Sequence, residues 1–502
     1  MRFQFINSII SWFLKKRKHQ IELFLKYPIY VQDELLLKLV HTAKNTEFGK
    51  TYNFNTIESY TDFANQVPIQ KYESIEPLIE RCRTGEQNLF WPTKIKWFAK
   101  SSGTTNAKSK YIPVSDEALE GCHFKAGKDM LCLYINNNED AKLFTGKGLR
   151  LGGSSAVYED NDTYFGDLSA IIIENMPFWA DYSSAPKQEV ALMGEWETKM
   201  EAIIDETIHE NITSLAGVPS WMLVLLNRVL EKTGKSNILE VWPNLEVYFH
   251  GGVNFNPYKE QYKKLIPKED FRYYETYNAS EGFFAIQDKN NSDELLLMLD
   301  YGIFYEFIPM DRYDGENSKA IPLSKVKKDV NYAVVITTNG GLWRYLIGDT
   351  VKFTSIKPYR VKITGRTKHH INVFGEELII ENAEEALKAA CKKTNAAIKD
   401  YTVAPIFMNG KSKGAHEWVI EFKKAPDNLH FFTEMLDNSL KNCNSDYEAK
   451  RYNNMTLAMP TVHAAKEGLF YTWLKTKGKL GGQHKVPRLS NKRDFIEELL
   501  QL

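Results

Sequence analysis

The stretch KSSGTTNAKSKYIPVS, residues 100–115, crowds hydroxyl side chains around a glycine and adds two lysines. The hydroxyl and lysine residues are Ser101, Ser102, Thr104, Thr105, Lys108 and Lys110. The flanking segments 95–99 and 111–114 are short and rich in aromatic or β-branched residues, which predicts a strand on each side of a turn. Free backbone N–H groups, hydroxyls and ammonium groups suit a polyphosphate. The GxxxxGK[ST] pattern of a Walker loop is missing, and an ordinary Ser/Thr-rich hairpin is an equal alternative.

The composition points to a neutral chain of more than one domain. A length of 502 residues is too great for one hydrophobic core. Lys plus Arg and Asp plus Glu are 64 each, so no global charge attracts nucleic acid or an anionic membrane. The five cysteines are odd in number and form no CxxC pair, which argues against a disulfide framework or a zinc site and favours a cytoplasmic location.

The N-terminal stretch 3–18, FQFINSIISWFLKKRK, is predicted to be an amphipathic helix rather than a targeting segment. Its basic residues follow the apolar run, whereas a secretory signal has them before it. The run is also too short to span a bilayer. We expect the helix to pack on the body of the protein, with a membrane surface as the alternative.

Hydrophobic periodicity predicts a mixed α/β chain. Helices are predicted at 197–212 and 221–234, the latter ending at Gly234, and strands dominate from 244 to 365, including 341–353. Helices at 379–394 and 428–442 alternate with strands at 401–407, 416–422 and 455–462. We therefore predict a large N-terminal domain, 1–365, of β-sheets flanked by helices with a β-barrel-like part, and a small α+β domain, 366–502.

Several predicted strands end in polar clusters. The turn YNASEG, 277–282, offers an aromatic face, a hydroxyl and the carboxylate of Glu281, which suit a ribose or a metal, although a turn carboxylate is often only solvated. Asp349 follows a glycine within an otherwise apolar strand and needs a hydrogen-bonding partner, either ribose hydroxyls or an arginine. Lys485 lies in a glycine-led loop and is either a mobile point charge or an ordinary surface lysine.

The order and spacing of these clusters resemble the core motifs of the adenylate-forming superfamily of acyl-CoA synthetases, peptide-synthetase adenylation domains and luciferases. The motifs are SSGTT near 101, YNASEG near 277, RYLIGD near 344, TGRTKHH near 364 and HKVPR near 484. Further stretches resemble the auxin-responsive Gretchen Hagen family of acyl acid amido synthetases. They are NTEFGKTYNF (45–54), VPIQKYESI (67–75), LAGVPSWM (215–222), VWPNLEVYFHGG (241–252) and GLWRYLIGD (341–349).

The resemblance implies a role for each matching position. The hydroxyl loop with Lys110 would hold phosphates, and Glu281 would bind Mg²⁺. Lys485 would stabilise charge during adenylation. The small domain would rotate about a hinge near 365–370. The adenine- and ribose-binding residues would be Gly251, Gly252, Tyr277, Ser280, Asp349 and Arg366. The residues expected in an acyl pocket, or simply in the core, are Phe165, Val218 and Trp221.

The expected function is therefore ATP-dependent ligation of a small carboxylic acid to an amino acid through an acyl-adenylate, with ATP and Mg²⁺ as cofactors. Two alternatives stay open. One is a carboxylate–CoA ligase that uses the same first step, and the other is a nucleotide-binding protein without catalysis. Neither nucleic acid nor a transmembrane segment is expected. The acid, the acceptor and the oligomeric state are not encoded in any motif.

Overall fold

The computed structural model describes residues 17–101, 110–152, 158–160, 162–253, 255–256, 258–367, 370–408, 412–452, 456–476 and 487–502. The helix predicted for 3–18 lies outside these ranges except for residues 17–18, which belong to a helical stretch over 17–26. Within the described ranges, no helix is long and apolar enough to cross a membrane.

Helices form the first part of the chain and flank the sheets elsewhere. The α-helices run over Pro28–Ala43, Glu47–Thr51, Tyr60–Gln66, Tyr72–Arg83, Asp116–Ala118, Lys125–Asn137, Leu168–Glu174, Phe178–Tyr182, Gln188–Ala191, Trp196–Thr207, Pro219–Thr233, Lys259–Leu265, Ile380–Thr394, Leu429–Cys443, Ser445–Arg451, Leu469–Thr476 and Asp494–Leu500. A π-helical turn spans Leu119–Phe124.

The strands of the described residues are numbered in chain order. In the large domain they are β1 (Trp97–Ser101), β2 (Lys110–Val114), β3 (Lys147–Leu151), β4 (Tyr158–Asp160), β5 (Thr163–Gly166), β6 (Ser184–Ala185), β7 (Ile212–Gly217), β8 (Val247–Gly251), β9 (Arg272–Ala279), β10 (Gly282–Ile286), β11 (Leu295–Leu297), β12 (Ile303–Pro309), β13 (Ile321–Pro322), β14 (Asn331–Thr338), β15 (Tyr345–Ile356) and β16 (Tyr359–Arg366). The remaining strands are β17 (His370–Ile371), β18 (Leu378–Ile379), β19 (Ala397–Ile406), β20 (Ala415–Lys424) and β21 (Thr461–Ala465).

Across the described residues, twelve strands form one sheet in the order β13-β12-β14-β15-β16-β11-β10-β9-β8-β7-β3-β6. From β6 to β9 the strands are parallel, and from β9 to β13 they are antiparallel. A second sheet has the order β2-β1-β5-β4. The mixed α/β fold class predicted from the sequence is confirmed.

The antiparallel half of the large sheet curls strongly. Tyr277 on β9 and Asp349 on β15 lie four strands apart in the sheet order, roughly 19 Å in a flat sheet. Nevertheless, the Tyr277 hydroxyl donates a hydrogen bond to the Asp349 carboxylate at 2.8 Å. Phe284 on β10 likewise contacts Tyr305 on β12, with ring centroids 6.4 Å apart. The expected barrel-like part is therefore a curled continuation of the main sheet around an aromatic core.

The small domain packs directly against the large one. Its three-stranded sheet, β19-β20-β21, lies beside the helices Ile380–Thr394 and Leu429–Cys443. Side chains of both domains share one hydrophobic core cluster, which includes Leu226 and Leu387. The Tyr258 hydroxyl also donates to the Val373 carbonyl at 2.6 Å. The boundary at 365–370 and the rotation about it stay predictions.

The observed bounds of two strands and one helix differ from the bounds predicted from the sequence. Residues 341–344 turn rather than extend, because Gly341 (φ +91°) and Arg344 (φ +43°) adopt left-handed backbone conformations before β15 begins. The strand predicted at 455–462 is in fact β21, which begins only at Thr461. The helix predicted over 197–212 ends at Thr207, since β7 begins at Ile212.

A buried ion pair fixes the Arg344 turn. The guanidinium donates Nε and Nη2 to the Glu306 carboxylate on β12, at 2.9 and 2.8 Å. Its Nη1 donates to the carbonyls of Ala64 and Val67 at 2.9 and 2.6 Å. Arg344 and Glu306 side chains are only 6% and 1% exposed. The pair thus ties the N-terminal helices to the curled sheet.

Removal of one partner should therefore be costly. In Glu306→Ala, the Arg344 charge stays buried without a carboxylate, which typically costs about 3–5 kcal/mol. Glu260→Ala, which breaks an exposed pair with Lys263, should leave the free energy of unfolding close to that of wild type. Urea denaturation of both variants checks this expectation. A Glu306→Ala loss as small as that of the control would contradict it.

Candidate functional site

Ser280 and Glu281 form the two-residue turn of a β-hairpin. β9 and β10 pair antiparallel, with Ala279 opposite Gly282. A Cβ on Gly282 would lie 2.6 Å from the Ile303 Cδ1 atom, so a larger residue there would require the Ile303 side chain to move. The π-helical turn Leu119–Phe124 supports the hairpin, because the Phe283 N–H donates to the Cys122 sulfur at 3.2 Å. The Glu281 carboxylate is thus carried on a turn whose backbone is fixed from two sides.

Tyr277, Asp349 and Arg366 meet as the motifs predict. The two Asp349 oxygens accept from the Tyr277 hydroxyl at 2.8 Å and from Arg366 Nε at 2.9 Å. Asp349 pairs with Arg366 across β15 and β16, immediately after Gly348, whose φ is +92°. Burial and the Asp349 carboxylate raise the pKa of Tyr277 well above its usual value, so its hydroxyl stays a donor. Of the two partners that the sequence offers for Asp349, the arginine is present, and the ribose role stays a prediction.

Arg366 also contacts a residue that the sequence reasoning missed. Its Nη1 donates to Glu377 at 3.1 Å, across the predicted hinge. Burial acts to lower the pKa of Arg366, but the carboxylates of Glu377, Asp349 and Glu281 raise it. Glu377 is the last residue of the FGEE segment, two positions after Gly375, and has a positive φ of 39°. A glycine followed by two acids is the sequence signal at this position, but only the packing of the domains shows which acid meets Arg366.

Glu281 and Lys110 influence one another electrostatically. Burial raises the pKa of Glu281 to about 7, although the Lys110 ammonium acts to lower it. Burial lowers the pKa of Lys110, while the carboxylates of Glu281 and Glu73 act to raise it. The Lys110 Nζ also lies 5.5 Å from the Tyr72 ring centroid. Tyr72 and Glu73 belong to the VPIQKYESI stretch, to which the sequence analysis gave no role.

The predicted phosphate loop is described only at its two ends. Ser101 ends β1 and pairs with Lys110, which begins β2, so the strand–turn–strand prediction holds at its ends. Ser102, Thr104 and Thr105 lie outside the described residues, as do Lys485 and residues 368–369 of the predicted hinge.

Of the two predicted adenine-site glycines, Gly251 ends β8 and Gly252 follows it. A Cβ on Gly251 would lie 2.5 Å from the Thr276 carbonyl oxygen on β9, so only glycine fits. Gly252 has a φ of +81°, and a Cβ there would lie 3.5 Å from Val218 Cγ2. Because β7, β8 and β9 are parallel, Val218, Gly252 and Ser280 follow strands that end at one edge of the sheet, where ligands of α/β folds bind.

The three residues expected in an acyl pocket pack against two different hydrophobic cores. Phe165 on β5 packs edge-on against Tyr111, at 5.9 Å between centroids, in the same core as the curled sheet. Val218 and Trp221 belong to the core shared with the small domain. The Trp221 ring faces Lys450 of the small domain, with Nζ 4.6 Å from its centroid. Their acyl-binding role stays a prediction.

Comparison with known proteins decides the family. Sequence profiles of the GH3 family match the chain in three stretches: the N-terminal domain at 17–271, the central domain at 296–366 and the C-terminal domain at 381–494. The chain belongs to the GH3 family. The resemblance to the auxin-responsive acyl acid amido synthetases is therefore confirmed.

Individual GH3 proteins match over nearly the whole chain. Indole-3-acetic acid-amido synthetase GH3.3 of Arabidopsis thaliana is 21% identical over 94% of this chain and 91% of its own length. Jasmonoyl-L-amino acid synthetase JAR6 of Nicotiana attenuata is 23% identical over 91% and 90%. The solved structure of the GH3.15 acyl acid amido synthetase superposes with a TM-score of 0.63 at 16% identity, covering 97% of this chain and 96% of that one. The GH3 fold thus extends across both domains.

The raised pKa of Glu281 predicts a pH-dependent stability. Between pH 4.5 and about 7 the folded chain keeps a proton that the unfolded chain has released, so this group lowers the free energy of unfolding as pH rises. Glu281→Gln has no carboxyl group at this position and therefore lacks this pH dependence. Its free energy of unfolding, relative to that of wild type, should rise from pH 4.5 to about pH 7 and stay level at higher pH. Urea denaturation at pH 5, 6, 7 and 8 measures the difference. A difference that is constant with pH would contradict the raised pKa.

Proposed function

We propose that this GH3 chain is an ATP-dependent acyl acid amido synthetase. A carboxylate attacks the α-phosphorus of ATP and gives an acyl-adenylate and pyrophosphate. The amine of an amino acid then takes the acyl group and releases AMP. Family membership supports this reaction, and so do the relatives named as indole-3-acetic acid-amido and jasmonoyl-L-amino acid synthetases.

The observation that carries the proposal is the Tyr277–Asp349–Arg366 cluster. An aspartate held by a tyrosine hydroxyl and a guanidinium is pre-oriented, and its remaining acceptor sites suit vicinal ribose hydroxyls. Gly251 and Gly252 allow a flat base to approach the sheet edge closely. In the proposal Ser280 lies near the α-phosphate, and Lys110 with the hydroxyl-rich loop contacts the other phosphates.

Glu281 fits a Mg²⁺ that arrives with the nucleotide. This ion is usually held by one or two carboxylates together with substrate phosphates. Glu281 offers a carboxylate on a fixed turn, and the described residues contain no cluster of three or more potential ligands that would hold a metal without the nucleotide. When bound, Mg²⁺ neutralises charge on the leaving pyrophosphate. The chain's own contribution is to orient Glu281 through the hairpin.

Two rival functions differ in testable ways. A carboxylate–CoA ligase shares the first half-reaction, so amino acids and CoA must be compared as acceptors of the same adenylate. A nucleotide-binding protein without catalysis needs neither Glu281 nor Lys485. We further propose that 366–502 moves as a unit about 365–370 and that the protein is cytoplasmic, in keeping with its five unpaired thiols.

Loss of the Asp349 carboxylate should abolish nucleotide binding. Asp349→Ala removes the proposed ribose acceptor and leaves Arg366 with one carboxylate fewer. Isothermal titration with ATP and Mg²⁺ should give specific binding to wild type and a loss of at least about tenfold in the variant. Asp293→Ala, which removes an exposed carboxylate paired with Lys362, is the matched control. Equal ATP affinity in Asp349→Ala and wild type would refute the ribose assignment.

Lys485→Ala should slow the first half-reaction selectively. A lysine that stabilises developing charge typically contributes about 10²–10³ to the rate. ATP–pyrophosphate exchange driven by a carboxylic acid should fall by that factor, whereas aminolysis of a preformed acyl-adenylate should be unchanged. Lys392→Ala, an exposed lysine on the helix Ile380–Thr394, should affect neither rate. Undiminished exchange in Lys485→Ala would remove Lys485 from the catalytic assignment.

A further inference from the structure

Lys450 and Trp221 form a contact between the two domains that the reaction described so far does not use. Lys450 lies at the end of the small-domain helix Ser445–Arg451, and Trp221 lies in the first turn of the large-domain helix Pro219–Thr233. The ammonium sits 4.6 Å from the centroid of the indole ring, a cation–π distance. The Lys450 side chain is half-buried, and the indole is 8% exposed.

This contact borders the nucleotide site on two sides. On the first, a Cβ on Gly375 would lie 3.7 Å from the Lys450 Nζ, and Gly375 is two positions before Glu377, which binds Arg366. On the second, Trp221 follows Val218, which approaches Gly252. The segment 373–377 therefore runs from the Asp349–Arg366 pair to the Lys450 ammonium.

Lys450 differs from the other cations near the site. Arg366 is paired with two carboxylates, and Lys110 faces Glu281 and Glu73. In the part of the chain that the structure describes, Lys450 has no carboxylate within ion-pair distance, and its recorded side-chain partner is the indole. A half-buried ammonium held by a neutral ring retains its donors for an anion.

We propose that Lys450 binds the α-carboxylate of the amino acid acceptor, with Trp221 holding the ammonium in place. This rests on the proposed amido synthetase function and specifies its second half-reaction. The acceptor's neutral amine, after its ammonium proton has left, attacks the acyl carbon. A C–N bond forms, the C–O bond to AMP breaks, and the nitrogen releases a second proton. Because Lys450 comes from the small domain and Trp221 from the large one, the acceptor site is complete only when the domains are docked in this arrangement.

Acceptors with and without a carboxylate test this assignment in one enzyme preparation. The acyl-adenylate is formed from ATP and the best acid found by pyrophosphate exchange. It is then offered an amino acid, the matching amino acid amide or hydroxylamine. The variants are Lys450→Met, which keeps the length and apolar body of the side chain, and Lys450→Arg, which keeps the charge. Lys392→Met is the control for loss of a positive charge on the same domain.

In Lys450→Met, we expect kcat/KM for the amino acid to fall at least about tenfold, mainly through KM, because one charged hydrogen bond is lost. The rates with the amide, with hydroxylamine and in pyrophosphate exchange should change by less than about twofold, and Lys450→Arg should recover most of the loss. A similar fall with all three acceptors would make Lys450 a mere interdomain contact and overturn the proposal alone. No fall with any acceptor would also overturn it. A further outcome is that wild type converts the acyl-adenylate to the hydroxamate and forms no acyl-amino acid product with any amino acid. That result would contradict the amido synthetase function, and the proposal for Lys450 would fail with it.

Discussion

The Arg366 guanidinium, which lies between Asp349 and Glu377, is the contact on which the site depends. Asp349 belongs to the curled sheet, and Glu377 lies in the first part of the predicted small domain, 366–502. Removal of either carboxylate from this largely buried guanidinium weakens the arrangement, because the cation then lacks part of its compensating charge. The orientation of the proposed ribose carboxylate and the docking of the small domain are therefore linked through one side chain.

The site also requires the curl of the large sheet. Strands β6 to β9 are parallel, as in an ordinary α/β layer, and their ends present Val218, Gly252 and Ser280 along one edge. From β9 onward the strands are antiparallel and bend back, which brings Asp349 to Tyr277. The Arg344–Glu306 pair fixes the N-terminal helices against the same bend. A flat sheet would leave the predicted ribose and adenine residues too far apart for one nucleotide.

Much of the fold was predictable because local patterns and tertiary packing agree. The helix over 221–234 was predicted from apolar periodicity and a terminal glycine, and Gly234 indeed ends it in a left-handed conformation. Residues 341–344 were misread because apolar Leu342 and Trp343 resemble a strand, although they point into a core around a turn. Tertiary packing that overrides local propensity is not visible in a short window of sequence.

The site was predictable to the extent that its motifs lie on paired strands. Asp349 and Arg366 are cross-strand neighbours, and Tyr277 meets them through the curl. The contacts of Glu377 and Lys450 could not be predicted from the sequence. They arise from the packing of the two domains, and no periodicity encodes that packing. Phe165, Val218 and Trp221 were grouped by aromatic and apolar character alone, and the fold distributes them over two cores.

Isotope transfer from the acid tests the central claim, an acyl-adenylate intermediate, most directly. The protein is incubated with ATP, Mg²⁺, an amino acid and a carboxylic acid labelled with ¹⁸O in both carboxyl oxygens, and the products are analysed by mass spectrometry. Attack on the α-phosphorus transfers one ¹⁸O to AMP and leaves pyrophosphate unlabelled. Formation of ADP with ¹⁸O in inorganic phosphate would indicate an acyl phosphate instead and would contradict the adenylate mechanism.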